Sequence, residues 1–255
     1  MTLPIRVESA HGGAVARIVL ARPRANLLDS EAIGAIRAAL GGCAGQPELK
    51  LVVFEGEGPN FSFGASVEEH LPGRVQTMLP AFHALFTDLE ELGIPTAAAV
   101  RGQCLGGAAE LVGLCGFVAV GPTARIGVPE VTLGVFPPVA AVGFRWRVGG
   151  ARACQLIVSG EVLGAEQARA MGLVDVVAPD PGEAVDHWYE SRLAPLSAVA
   201  VRYAWRAARR PLLRALREEL PILESLYLDE LMAHSDPVEG LSAFSERRPP
   251  VWSHQ

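Results

Sequence analysis

The sequence predicts an α/β fold, with a mainly parallel sheet and crossover helices, followed by a helical C-terminal segment. Three observations lead there. Short unbroken apolar runs recur at Leu51-Val52-Val53-Phe54, from Thr96 to Val100 and at Phe117-Val118-Ala119-Val120, as in strands covered on both faces. Residues 74–92 instead have helical spacing, with Val75, Met78, Leu79, Phe82, Leu85, Phe86 and Leu89 on one side. Strands alternating with helices in this way pair in parallel through crossovers. From about Ala194 the strand candidates stop, and arginines and glutamates decorate the outer faces of helical patterns.

The elements follow in order. Residues 5–20 alternate apolar and polar around Gly12-Gly13, which predicts an opening β-hairpin. Arg22-Pro23-Arg24-Ala25-Asn26 is a loop. Asp29 or Ser30 then caps a helix through Ile33 and Ile36 to Leu40, closed by Gly41-Gly42. After the Leu51 strand, Gly56-Glu57-Gly58-Pro59 leads to a strand-to-loop passage, Phe61-Ser62-Phe63-Gly64-Ala65-Ser66. Gly93-Ile94-Pro95 ends the 74–92 helix. A helix beginning at Gly107 leads into the Phe117 strand. Near the C-terminus, Asp236-Pro237-Val238-Glu239 reads as a capping box with proline in the first helical position.

Composition narrows the function. Half of the 255 residues are apolar and 20% are charged, which suits a globular protein and argues against disorder. A formal charge of -6 gives no support to binding nucleic acid or an anionic membrane. Lys50 is the one lysine among 22 basic residues, so any phosphate must be met by arginines or backbone amides. Cys43, Cys104, Cys115 and Cys154 lack paired spacing and read as reduced core thiols. The stretch from Met1 to Arg6 lacks the apolar run of a signal peptide, and no apolar run reaches membrane-spanning length. The expected compartment is the cytoplasm.

Two glutamates carry the chemistry. Glu110 sits in Gly102-Gln103-Cys104-Leu105-Gly106-Gly107-Ala108-Ala109-Glu110, a strand end turning through glycines into a helix. A helix start leaves backbone N–H groups unpaired, able to hold a developing negative oxygen, and an acid one turn in shares their side. Glu130 follows Gly127-Val128-Pro129. Alone, Glu110 also suits a helix start on dipole grounds, and Glu130 also suits a surface acid after a turn. His70, after Glu68-Glu69, lacks a second histidine at ligand spacing and is expected in a solvated or ligand-adjacent loop, not a metal site. No Gly-Lys-Ser/Thr phosphate loop, dinucleotide fingerprint or Gly-x-Ser-x-Gly elbow is present. Trp205-Arg206-Ala207-Ala208-Arg209-Arg210 reads as helix surface or a subunit contact.

Taken together, Ser62-Phe63-Gly64-Ala65, Leu105-Gly106-Gly107, Glu110, Gly127-Val128-Pro129-Glu130 and Leu133-Gly134 resemble the crotonase (enoyl-CoA hydratase/isomerase) superfamily. The resemblance runs from Arg22-Pro23 to Glu239-Gly240 and Glu246-Arg247-Arg248. It implies a ββα spiral core over residues 1–193, carrying the active site, and a helical trimerisation region over residues 194–255. The assembly implied is a homotrimer or a dimer of trimers. The substrate implied is an acyl-CoA thioester whose carbonyl accepts hydrogen bonds from the Ala65 and Gly107 amides. One such donor is often worth about 3 kcal/mol in the transition state. Glu110 and Glu130 would hold a water between them, one ionised and one protonated. CoA would bind along Phe63, Ala65, Ser66, Val67, Glu68 and Gly106, with its phosphates near Arg22, Arg24 and Ala25. No resident cofactor or metal is implied, since coenzyme A enters as part of the substrate.

A narrower similarity, carried by residues 61–70, 101–107, 133–136 and 227–232, is to the hydratases of cyclohexa-1,5-diene-1-carbonyl-CoA in anaerobic benzoyl-CoA degradation. It implies water addition to give 6-hydroxycyclohex-1-ene-1-carbonyl-CoA. General enoyl-CoA hydration or isomerisation, as in fatty-acid β-oxidation, and a catalytically silent protein on this scaffold are the alternatives. Ser66 replaces an aspartate common in relatives, Ala108 replaces the third glycine, and Pro137-Pro138 replaces a glycine-rich stretch. The prolines predict a stiffer pocket wall with fewer backbone donors.

Overall fold

The computed structural model describes residues 3–255; residues 1 and 2, part of the stretch read for a signal peptide, lie outside them. The chain opens with the predicted hairpin, β1 (Ile5–Ala10) and β2 (Val15–Leu20), paired antiparallel from Ile5 with Leu20 to Ala10 with Val15. Helix α1 (Ser30–Cys43), β3 (Leu51–Gly56), α2 (Val75–Leu92) and β4 (Thr96–Val100) follow. Next come β5 (Gln103–Leu105), α3 (Gly107–Gly113), β6 (Phe117–Val120) and β7 (Arg125–Gly127). Three short helices, α4 (Pro138–Gly143), α5 (Arg145–Val148) and α6 (Gly150–Ser159), lead to β8 (Val162–Gly164), α7 (Ala165–Met171), β9 (Val176–Val177) and α8 (Pro181–Arg192). The chain ends with α9 (Ala198–Ser225), a widened π turn (Leu226–Glu230) and α10 (Ser235–Ser245).

One sheet has the order β1-β2-β3-β4-β6-β9 and is parallel from β2 onward. A second joins β5, β7 and β8. The apolar strands are covered on both faces, as their unbroken runs require. Ile18, Val52, Phe54, Ala98 and Val118 face the main core beneath α1 and α2. Val53, Ala97, Ala99 and Ala119 meet Val185 and Tyr189 of α8 on the other face. The result is a mixed α/β fold with a helical C-terminal region.

Several local expectations need correction. Gly41 and Gly42 lie inside α1, which Asp29 caps by accepting a 2.9 Å hydrogen bond from the Ala32 N–H, as expected. The helix continues one turn past Leu40 because Cys43 buries its side chain in the core. Cys154 is exposed, unlike the other three cysteines. Asp236-Pro237-Val238-Glu239 is not a capping box: α10 starts at Ser235, and both carboxylates turn to the C-terminal tail. Asp236 accepts from the Ser253 and His254 N–H groups (2.7 and 2.9 Å), and Glu239 from Val251 N–H and a bidentate Arg248 guanidinium (2.6 and 2.8 Å). That pairing holds the Glu239 carboxyl down to about 2. The Trp205–Arg210 stretch lies on the helix surface as expected, with Arg206, Ala207, Ala208 and Arg210 exposed, but part of it also packs inward. Arg209 forms an ion pair with buried Glu90 of α2 and stacks 4.8 Å from the Trp205 ring, while the Arg206 stem lies over Gly93.

Candidate active site

The site forms where the loop after β3 meets the turn between β5 and α3. Gly64 (φ 94°) presses so close that a Cβ there would stand 2.5 Å from the Leu105 carbonyl oxygen and 3.4 Å from the Gly107 nitrogen. Single bridges, Ser62 with Cys104 and Leu28 with Ala65, tie the loop in place. Ala65 and Gly107 are thereby brought together. Among the described residues neither backbone N–H has a protein acceptor, and Gly107, the first residue of α3, has none available within its helix.

Gly106 makes the turn possible. Its backbone (φ 54°, ψ −131°) is open in practice only to glycine, and a Cβ would come 2.8 Å from Glu130 Oε1. The turn therefore delivers Glu110 in the first turn of α3 and packs its backbone against Glu130. Glu130 is placed by Pro129 at the start of a 3-10 turn (Pro129–Leu133) that Gly134 closes with φ 76°.

The two carboxyls have different surroundings. Glu110 is 2% exposed, and its Oε1 accepts a 2.7 Å hydrogen bond from the Ala140 N–H. Burial pushes its pKa up to about 7, with the backbone amides of Ala140 and Val139 opposing the rise. Glu130 is only half-buried as a residue, but its Oε2 is sealed from solvent and has no partner among the described residues. Burial, then the neighbouring Glu110 charge, raises its pKa well above the carboxylate range. Of the two, Glu110 is the one the structure equips to ionise, and Glu130 the one it keeps protonated.

The amides that meet Glu110 correct the expectation for Pro137-Pro138. The prolines occupy the N-cap and first position of α4, where an N–H has no intrahelical acceptor in any case. The next donors, at Val139 and Ala140, are intact and turn to Glu110.

A cavity of about 1120 Å³ opens beside these groups. Phe63, Ala65, Ser66, Val67, Glu68, Gly106, Gly107, Glu110 and Glu130 all line it, as does His70, whose pKa burial lowers and whose Nδ1 lies 2.7 Å from the Ser66 carbonyl oxygen. Arg22, Arg24 and Ala25 do not. Arg22 pairs with Asp29 (2.7 Å) and Glu31, Arg24 is exposed, and Ala25 receives the Phe63 N–H through its carbonyl (3.0 Å). The arginines on the cavity wall are Arg247 and Arg248, with Arg248 already committed to Glu239. Tyr227, Phe136 and Phe82 complete the inner wall. No local sequence pattern marks Arg247 or Tyr227 for a role, because both reach the cavity through the return of the C-terminal helices. Among the described residues no cluster of three potential metal ligands occurs, and no helix is long and apolar enough to cross a membrane.

This geometry places two buried, differently biased carboxyls beside two free amides, a set suited to proton transfer next to a polarised carbonyl. The family model described as enoyl-CoA hydratase/isomerase matches residues 10–255. The chain belongs to that family. It is an enzyme of the hydratase type, a hydro-lyase acting on acyl-CoA thioesters. It is 41% identical over 252 residues to a cyclohexa-1,5-dienecarbonyl-CoA hydratase of Thauera aromatica, covering 99% of this chain and 98% of that protein. It is 33% identical over 248 residues to a probable enoyl-CoA hydratase of Rhizobium meliloti, covering 95% and 96%. Among solved structures, an enoyl-CoA hydratase from Mycobacterium avium subsp. paratuberculosis superposes with a TM-score of 0.85 at 28% identity, over 98% of both chains.

Proposed function

We propose that this chain hydrates a conjugated acyl-CoA thioester, with cyclohexa-1,5-diene-1-carbonyl-CoA as the substrate. The observation that carries the reading is the unequal pair Glu110 and Glu130 on one cavity wall, beside the Ala65 and Gly107 amides. The amides donate hydrogen bonds to the thioester carbonyl oxygen and stabilise the negative charge that develops there. Ionised Glu110 takes a proton from water as the water oxygen bonds to the carbon β to the thioester. The displaced π electrons move onto the carbonyl oxygen. Protonated Glu130 then returns a proton to carbon, the carbonyl re-forms, and the pair is left with its proton exchanged. On the cyclic diene that proton goes to the far end of the dienolate, so the product, 6-hydroxycyclohex-1-ene-1-carbonyl-CoA, keeps a double bond conjugated to the carbonyl.

The choice of ring substrate is supported by the 41% identity to the Thauera aromatica enzyme and by the wall of Phe136, Pro137 and Pro138. With that substrate goes a role in anaerobic benzoyl-CoA degradation, in the cytoplasm, with no cofactor beyond the CoA of the substrate. Val199, Tyr203, Ile222 and Leu226, exposed on the C-terminal helices of this chain, support assembly into a homotrimer or a dimer of trimers. General enoyl-CoA hydration is the second reading, favoured by the 30–33% identity to probable enoyl-CoA hydratases of several bacteria.

The test is to incubate the purified protein with cyclohexa-1,5-diene-1-carbonyl-CoA and with crotonyl-CoA, following water addition by mass. Preference for the diene is expected. Preference for crotonyl-CoA would move the protein to the second reading, and turnover of neither would refute hydration.

A further inference from the structure

Tyr227 is an aromatic side chain in the cavity wall whose polar atom has no use in the packing among the described residues. The residue is 1% exposed, and its ring lies 5.3 Å from the Phe136 ring. Its hydroxyl is sealed from solvent and has no hydrogen-bond partner among the described residues. Leaving a buried hydroxyl unpaired costs about 1–3 kcal/mol, so a phenylalanine here would pack as well and fold more readily. A partner for this hydroxyl has therefore to come from what fills the cavity beside it.

The backbone is also unusual at this point. Tyr227 lies in the π turn Leu226–Glu230 that interrupts the end of α9. Such a turn inserts an extra residue into a helix and re-aims the side chains beyond it, and it recurs at functional sites. Here it presents Tyr227 to the wall that carries Glu110 and Glu130. The phenol is near both carboxyls, Glu130 more than Glu110, and burial above all keeps it a neutral O–H donor.

We infer that the Tyr227 hydroxyl is a third polar group of the hydration site, donating a hydrogen bond to the oxygen that is added to the substrate. This rests on the hydratase reading. Water has two lone pairs: one attacks the carbon, and the Tyr227 O–H holds the other while Glu110 takes a proton from the same molecule. In the reverse direction the same O–H supports the departing hydroxyl oxygen. In this reading the thioester carbonyl is served by two amides, Glu110 already accepts the Ala140 N–H, and Glu130 makes no hydrogen bond to Tyr227, so the transferred oxygen is the acceptor assigned to it. The role makes Tyr227 a reader of the hydroxyl on the product, since a site built to bond a hydroxyl discriminates against the analogue lacking it.

The experiment compares wild type with Tyr227→Phe, which removes only the oxygen and keeps the ring against Phe136. Binding is measured for two matched pairs, 6-hydroxycyclohex-1-ene-1-carbonyl-CoA against cyclohex-1-ene-1-carbonyl-CoA, and 3-hydroxybutyryl-CoA against butyryl-CoA. In at least one pair the variant is expected to weaken the hydroxylated member roughly tenfold relative to the other, a size typical of one hydrogen bond. Its hydration rate should fall by a similar factor or more, with its thermal midpoint unchanged or higher. Equal changes for both members of each pair, or no change, would overturn the inference. So would a clear loss of stability, which would reveal a protein partner for the hydroxyl. Because the readout is binding selectivity, it stays informative if turnover fails: absent turnover with preserved selectivity would sink the hydratase reading and leave Tyr227 as a hydroxyl-binding residue.

Discussion

Replacing Glu110 with glutamine should make the protein more stable and nearly inactive, and the stability gain should appear only at high pH. Burial raises the folded carboxyl from its ordinary 4.5 to about 7, so the wild type has its full stability below pH 4.5 and loses it progressively as pH rises through about 7. At about 1.4 kcal/mol for each tenfold change in acidity, an ionised Glu110 costs the folded chain on the order of 3 kcal/mol at pH 8. Glutamine keeps an oxygen to accept the Ala140 N–H and carries no charge. The Glu110→Gln variant should therefore melt within about 3 °C of the wild type at pH 5 and roughly 6–12 °C above it at pH 8, for a chain of this size. Its hydration rate should fall about a hundred- to ten-thousand-fold, the usual share of a positioned general base. Thermal melts at both pH values and a rate measurement decide the matter. A melting difference that is the same at pH 5 and pH 8 would refute the claim that Glu110 is a desolvated acid. Retained activity would refute its role as base.

Two further outcomes follow from the same pair of acids and the turn that holds them. The hydration rate should rise with pH as Glu110 ionises through about 7 and fall again at higher pH as Glu130 loses the proton it must donate, giving a bell-shaped profile; a flat profile from pH 6 to 9 would speak against the pair. Gly106→Ala forces a side chain into a backbone with φ 54° and drives a Cβ to 2.8 Å from Glu130 Oε1, so activity should drop at least about a hundredfold and stability by roughly 1–3 kcal/mol; wild-type rates in that variant would show that the Gly106 turn does not hold the pair.

What the sequence determined by itself was what depends on near neighbours. The hairpin at residues 5–20, the strands of the parallel sheet and the Asp29 cap follow from periodicity and turn chemistry within a few residues. Glu110 was legible because Gly106-Gly107 forces a turn and α3 begins there, and Glu130 because Pro129 and Gly134 bracket it. Where a short-range rule met a longer-range partner, the partner won. Cys43 found core packing beyond the Gly41-Gly42 stop, and the Asp236 and Glu239 carboxylates bound the C-terminal tail instead of their own helix. The rest of the site was settled by tertiary structure alone. The amides of α4 meet Glu110 from thirty residues away, while Tyr227 and Arg247 arrive from the far end of the chain. The charge state of each glutamate, too, is set by desolvation inside a cavity whose walls come from separate segments. Burial and hydrogen bonding are properties of the packed whole, and no spacing in the sequence encodes which distant backbone N–H will face a carboxylate.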